Sequence, residues 1–599
     1  MPNRSLLSTL RSGFLTGAAT YGSAISLAHA LHNRLDSARD TLVLWLWCGA
    51  AFGAWMAAMF ALGFLPALVA RRRALDPEHA RHCDPRWWGL LGFNLIFWEL
   101  FFLHGLTYDH YPFGTLHSVW GMLAFLAAYG LVIAAGVLLL TLLLFALVRG
   151  ASRAVFTAVL IAFLAAHGVS VLRGVPEGKA KVVRPAAIPI TPEATDLSVM
   201  MVDLDGADWR VMQPMIDKGE LPNFAEIMRR GTSGPLPTIK DSNSAVIWAS
   251  IFSGMRPEVH GVLDFYRIQL PGMAGAGVFP VHRTFFKEIA EALAPFGLAE
   301  RTTMSRGELH ALPLWEILDH YGISIGVVDG FYYSFPALPM STPGGYFVSY
   351  GTDLFYSKLI HEPGSAKLSD SKLFVQPDDV LREIKPFLEK PDFEWQSAAV
   401  LQLLSDRPQP RFLNMYTHEP DSVQHWFWKW YQPELFLNVH AADLAQWGGE
   451  IPKRYKSFDA YLGKLLQRVD QAPEKTVLLV VSDHGHSPTI LHQSYYSQHR
   501  HGPPGIFLAC GGPIRAGEKL ASGSIYDIFP TVLYLLGLPI PADAAGQVLD
   551  PIVDPAFLAA HPRRSIPTYD GLWASPHAPG AKSGLNKEEL EKLKSLGYI

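Results

Sequence analysis

The chain has 599 residues, 17% of them charged, and a formal net charge of −4. That length exceeds one ordinary domain and can bury a large core. With the charge near balance, nothing suggests an electrostatic nucleic-acid binder. The average conceals a division: long apolar runs dominate up to about residue 172, and the remainder has the composition of a soluble globular protein.

The apolar runs are 12–31, 41–70, 87–106, 119–148 and 154–172. Each approaches or exceeds the length a helix needs to cross a bilayer, so an all-α transmembrane domain of about five helices is expected over residues 1–172. The weakest of them is the first, which contains Gly13, Thr16 and other small residues. Arginine is unevenly placed: Arg71, Arg72, Arg73, Arg81 and Arg86 follow the second run, Arg149 and Arg153 follow the fourth, and Arg4 and Arg11 precede the first. Residues 107–118 carry neither Lys nor Arg. By the positive-inside rule the basic segments are cytoplasmic. An odd number of spans then puts everything after residue 172 in the periplasm or outside the cell.

Residues 173–195, with four prolines and no helical period, read as a linker. A catalytic domain is expected over 196–570, and 571–599 as a tail with a short amphipathic helix. Within the domain, Val199–Leu204, 323–330, 412–419 and 476–485 read as buried strands. Helical stretches lie between several of them, at 221–231, 312–321 and 455–470. This alternation predicts an α/β fold with a mostly parallel sheet flanked by helices.

In such a sheet, ligands gather outside the carboxyl ends of the strands. Three strands here run into acids: Asp205, then Asp421 with His425 four residues on, then Asp483 with His484. His501 stands before a further apolar strand. Together they make six Asp/His candidates, enough for two ions with three ligands each. Two close metals clamp the attacking and leaving oxygens of a phosphoryl displacement. The nucleophile is sought in 241–265, where Ser242, Ser244, Ser250 and Ser253 are available. Ser244 stands at the start of the helical stretch AVIWASIF, and a helix N-terminus suits an incoming phosphate.

The segments VDLDG, SAVIWASIFSGMRPEVHGV, EPDSVQH, SDHG and HGPPGIFLACGGPI, in that order, resemble the type I phosphodiesterase/nucleotide pyrophosphatase branch of the alkaline phosphatase superfamily. The resemblance covers about 197–550 and excludes the apolar N-terminal part. It implies an alkaline-phosphatase-like fold in which Asp205, Asp483 and His484 hold one zinc, and Asp421, His425 and His501 the other. It also implies Ser244 as nucleophile and metal-bound oxygen, since the family nucleophile lies ten residues before the glycine that is here Gly254. His501 is preferred to His499 on its spacing of four to Gly505, and His486 falls outside the implied ligand set, in a supporting or surface role. Nucleotide pyrophosphatases carry an asparagine three residues after the nucleophile, where this chain has Ile247. Formylglycine sulfatases need Pro and Arg at set spacing after the modified residue, and SAVIW has neither.

The resulting expectation is a membrane-anchored, metal-dependent phosphodiesterase-like hydrolase with a covalent phosphoseryl intermediate. Its cofactors are two divalent ions, zinc expected and manganese the alternative. Its substrate is a phosphate ester, with lipid- or envelope-linked esters favoured by the membrane setting. The alternatives are a phospho-headgroup transferase or phosphomonoesterase on the same site, or an inactive membrane-anchored binding protein.

Overall fold

The computed structural model describes residues 6–33, 38–73, 84–108, 131, 134–146, 165, 189–240, 242–264, 266–273, 297–303, 309–330, 342–350, 373–388, 390, 392–436, 439–488, 496–499 and 502–574. The chain divides into two compact units, one formed by Met1–Val182 with Tyr266–Thr302, the other by Val183–Phe265 with Thr303–Ile599.

Up to Tyr108 the described residues of the first unit are helical. Leu6–Gly17 passes through a π turn, Ala18–Gly22, into Ser23–Asn33; Ala38–Leu62 and Phe64–Arg73 follow, then Pro85–Tyr108. Small residues let the first helices touch the third by backbone. A Cβ on Gly13 would lie 2.7 Å from Ala57 Cα, and one on Gly22 would lie 2.7 Å from Gly49 Cα. This is the close approach that glycine and alanine permit between apolar helices. Tyr21, Asn94 and Thr141 join three segments through a buried polar chain: the Tyr21 hydroxyl donates to Asn94 Oδ1, and Asn94 Nδ2 donates to Thr141 Oγ1 at 2.9 Å.

Among the described residues one helix, Arg39–Arg72, is long and apolar enough to cross a membrane, against five such helices expected from the sequence. The first expected span falls on helical pieces interrupted by the π turn. The fourth is described chiefly as the short helix Ala134–Ala146, and the fifth lies outside the described residues except for residue 165. The expected tail helix also lies outside the described residues.

The second unit is built on a nine-stranded sheet. In chain order its strands are β1 (Ser198–Leu204), β2 (Gly231–Leu236), β3 (Ile325–Val328), β4 (Tyr346–Tyr350), β5 (Leu373–Gln376), β6 (Phe412–Thr417), β7 (Thr476–Val481), β8 (Gly505–Cys510) and β9 (Glu518–Lys519). Across the sheet they run β9-β2-β8-β7-β1-β6-β3-β4-β5. The central strands β7, β1, β6 and β3 are parallel, and β8 runs against β7 and β2. This agrees with the predicted mostly parallel sheet.

Strands β1, β6 and β7 are near-continuous apolar runs because helices cover both faces of a parallel sheet. The helix Glu450–Gln471 turns Ile451, Tyr455, Phe458, Leu462, Leu465 and Val469 inward at helical spacing. The register decides where the function sits. Asp203 pairs with both Tyr416 and Val481, so β1, β6 and β7 end side by side. The residues that follow them, from Asp205, His418 and Ser482 onward, therefore emerge along one edge.

Candidate active site

Ser244, Asp205, Asp421, His425, Asp483 and His484 all lie at this edge. Asp205 leaves β1 one residue past its end, and Gly206 turns the chain at φ +73°. A Cβ there would stand 2.8 Å from His486 Nε2 and 2.9 Å from Asp421 Cα. Only glycine fits both the backbone angle and the space.

Two carboxylates share one design. Asp205 Oδ2 accepts from Trp248 Nε1 at 3.1 Å and from the Tyr416 hydroxyl at 2.6 Å. Its Oδ1 is left facing Ser244 Oγ at 3.2 Å and His484 Nε2 at 3.4 Å. Asp483 Oδ1 accepts the backbone N–H groups of Gly206 at 3.0 Å and His484 at 3.1 Å. Its Oδ2 is buried without a hydrogen bond, 3.1 Å from His484 Nε2. One oxygen of each acid fixes the side chain, and the other is presented to the site.

Ser244 opens the helix Ser244–Ser253, whose cap is Asn243; the Asn243 side chain accepts from Val246 N at 3.3 Å and donates to Asp264 Oδ1 at 2.9 Å. Ser244 Oγ lies 3.0 Å from His484 Nε2. The neighbouring serines are spent on the helix itself. Ser250 Oγ donates to Val246 O at 3.0 Å, and Ser253 Oγ donates to Ala249 O at 2.6 Å. Val262 N donates to His260 Nδ1 at 3.1 Å, so His260 Nε2 carries the proton it gives to Ser250 Oγ at 2.9 Å. Ser250→Ala should therefore keep hydrolysis within about two-fold while losing roughly 1 kcal/mol of stability. Steady-state rates and a urea titration check both parts.

Asp421 and His425 lie four apart on the helix Glu419–Tyr431, with His425 Nε2 3.4 Å from Asp421 Oδ2. His499 completes a group with them, their ligand atoms within 4.8 Å of one another. His501, preferred on spacing, lies outside the described residues. His486, expected in a supporting or surface role, is not at the surface. It is fully buried, with Nε2 3.0 Å from Asp421 Oδ1. The only sequence signal for it was its place two residues after His484.

The electrostatics ask for positive charge. Asp205, Asp421 and Asp483 are all buried. Burial, then Asp483 and Asp421, raise the Asp205 carboxyl well above the carboxylate range. Burial opposes charge on His484 too, but Asp483, followed by Asp205 and Asp421, outweighs it and holds the imidazole at about 9. For Asp421, His425 and His486 overcome burial and pull the carboxyl well below its usual value. Buried acids of this density are compensated by a metal or by extra protons. The mixed oxygen and imidazole donor set, with carboxylate oxygens unbonded, fits borderline divalent ions such as zinc or manganese.

The sequence profile of the type I phosphodiesterase / nucleotide pyrophosphatase family matches residues 199–498, half of the chain. The chain belongs to this family. That family is metal-dependent and belongs to the alkaline phosphatase superfamily, whose chemistry is phosphoryl hydrolysis or transfer. Among curated proteins it is similar to human arylsulfatase K, 30% identical over 115 residues, covering 18% of this chain and 21% of that one. It is also similar to the 2,3-bisphosphoglycerate-independent phosphoglycerate mutase of Paracoccus denitrificans, 29% identical over 121 residues, covering 19% and 23%. The chain spans about a fifth of the length of these relatives. Murine ectonucleotide pyrophosphatase / phosphodiesterase 5 aligns with 60% of this chain and all of its own, at 13% identity and a TM-score of 0.36.

Proposed function

We propose that this phosphodiesterase-family chain is a membrane-anchored phosphoric ester hydrolase that works through a phosphoseryl intermediate on Ser244. The observation that carries the proposal is the Ser244 hydroxyl at a helix N-terminus, 3.2 Å from Asp205 Oδ1 and 3.0 Å from His484 Nε2. Asp205, Asp483 and His484 would hold one divalent ion. Asp421 and His425, with a histidine of the 499–501 stretch, would hold the other. The bound ions supply Lewis-acid charge to phosphoryl and leaving oxygens and lower the pKa of a bound hydroxyl.

The chain's own groups do the rest. Trp248 and Tyr416 keep the Asp205 carboxylate from rotating away from Ser244. The helix N-terminus adds partial positive charge where the phosphate arrives. Ser244 Oγ loses its proton and bonds to phosphorus as the leaving ester oxygen departs and takes up a proton. Water then opens the phosphoseryl ester and restores the hydroxyl, so one difficult displacement becomes two easier ones. Ile247, where nucleotide pyrophosphatases have asparagine, is buried in the core. That favours substrates other than nucleoside pyrophosphates.

One feature supports a substrate at a membrane: Leu42, Leu46, Leu62, Leu65 and Leu68 are exposed along Arg39–Arg72, as on a lipid-facing helix. The expected substrate is a lipid- or envelope-linked phosphodiester, met by a catalytic unit outside the cytoplasm. A reporter active only outside the cytoplasm, fused after residue 185, should be active. Activity of a cytoplasmic reporter there instead would reverse the proposed orientation. Hydrolysis of chromogenic mono- and diesters by the purified full chain in detergent tests the chemistry, with release of the diester's alcohol expected.

A further inference from the structure

Ser497 makes three contacts that together fix two imidazoles. Its backbone carbonyl lies 2.6 Å from His425 Nδ1, and its Oγ lies 2.9 Å from His486 Nδ1. The Oγ also donates to Gln424 O at 2.8 Å. A carbonyl only accepts, so His425 Nδ1 carries a proton. The Ser497 hydroxyl has a single proton, given to Gln424 O, so Oγ accepts from His486 and His486 Nδ1 is protonated as well. With the proton on Nδ1, the neutral form of either ring presents Nε2 as a lone pair.

Those lone pairs flank one carboxylate. His486 Nε2 is 3.0 Å from Asp421 Oδ1, and His425 Nε2 is 3.4 Å from Asp421 Oδ2. Neither His486 Nε2 nor Asp421 Oδ1 has an aligned hydrogen bond, though both atoms are buried. Two buried acceptors at 3.0 Å repel unless a cation serves both. Donors about 2.0–2.2 Å from a zinc ion sit about this far from each other. Second-sphere acceptors that hold Nδ1–H, as Ser497 does twice, are the usual way of aiming Nε2 at a metal.

We propose that His486 is a metal ligand on the Asp421 side of the site, and that Ser497 positions His486 and His425 together for that ion. The inference rests on the reading of this edge as a metal-dependent phosphoryl-transfer site, and it adds a residue from the SDHGH turn to the Asp421–His425 pair. It also accounts for Gly206: a side chain there would displace His486 Nε2 from Asp421.

The test uses the full chain in detergent with histidine labelled by 15N, stripped and reloaded with 113Cd, and the His486→Asn variant to assign signals. A one-bond 113Cd–15N coupling to His486 Nε2, absent in the variant, is expected. In zinc titrations His486→Asn should lose at least about ten-fold in affinity for one ion while keeping the other, the range seen when a ligand's surroundings alone are disturbed being ~10–100-fold. Ser497→Ala should weaken the same ion and leave the other unchanged. The wild-type spectrum alone keeps the inference falsifiable if either variant fails to fold. A His486 Nε2 that carries a proton and shows no coupling in protein holding two metals overturns this inference and leaves the proposed function standing. Wild-type protein that binds no metal overturns both.

Discussion

Ser244→Ala should abolish turnover while leaving the fold and most metal binding intact. The expected loss is several orders of magnitude, since removing a covalent nucleophile has cost as much as about 10⁶-fold in a well-studied hydrolase. The structural cost should be small. Ser244 begins its helix but is not the cap, a role taken by Asn243. Its hydroxyl contacts Asp205 and His484, together worth on the order of 1–3 kcal/mol. Asp205 keeps its contacts to Trp248 and Tyr416, so the first ion site should persist. Rates on a chromogenic diester, thermal melting and metal content, measured on one preparation, separate these effects. Full activity in Ser244→Ala would discard the covalent route.

Exhaustive removal of metal should silence the enzyme and also loosen it. Three buried carboxylates meet at the sheet edge. Without a cation their mutual repulsion and lost solvation amount to several kcal/mol, the scale seen when one partner of a buried ion pair is removed. Ligand binding to the folded state contributes roughly 4 kcal/mol at a thousand-fold excess over Kd. The chelated protein should therefore melt several degrees lower, with activity below detection. Zinc or manganese at about two ions per chain should restore both. Unchanged melting and undiminished hydrolysis at less than one ion per chain would contradict the metal reading.

Much of this was legible in the sequence, for identifiable reasons. Parallel strands buried on both faces leave apolar runs, so β1, β3, β6 and β7 stood out, together with the acids at their ends. Glu450–Gln471 was visible in part, through its inward face. Strand β2 was hidden because GTSGPL looks like a turn. Its glycine serves close packing: a Cβ on Gly231 would lie 1.8 Å from Ala509 O. The extended stretches β4 and β5 gave no pattern apart from their surroundings. Hydropathy marked the N-terminal runs but did not foresee the π turn at Ala18–Gly22.

At the site, residue type and order pointed to Asp205, Asp421, His425, Asp483 and His484. Nothing in the sequence distinguished Tyr416 and Trp248 as the groups that orient Asp205, since both read as core aromatics. Ser497 was equally silent, because two of its contacts use a backbone carbonyl and a hydroxyl whose direction only the fold decides. The sequence preferred His501, which lies outside the described residues; among those described, His499 stands with Asp421 and His425, its ring stacked 4.3 Å from His484.

The covalent phosphoserine is the central claim, and acid trapping tests it most directly. Wild-type protein would be mixed with a 32P-labelled diester, quenched at low pH within the first turnover, digested and mapped by mass spectrometry. Label is expected on Ser244 alone, with none on Ser242, Ser250 or Ser253, and should disappear on chase with unlabelled substrate. Label on another residue, or product formed in the first turnover with no labelled protein at any quench time, would contradict it.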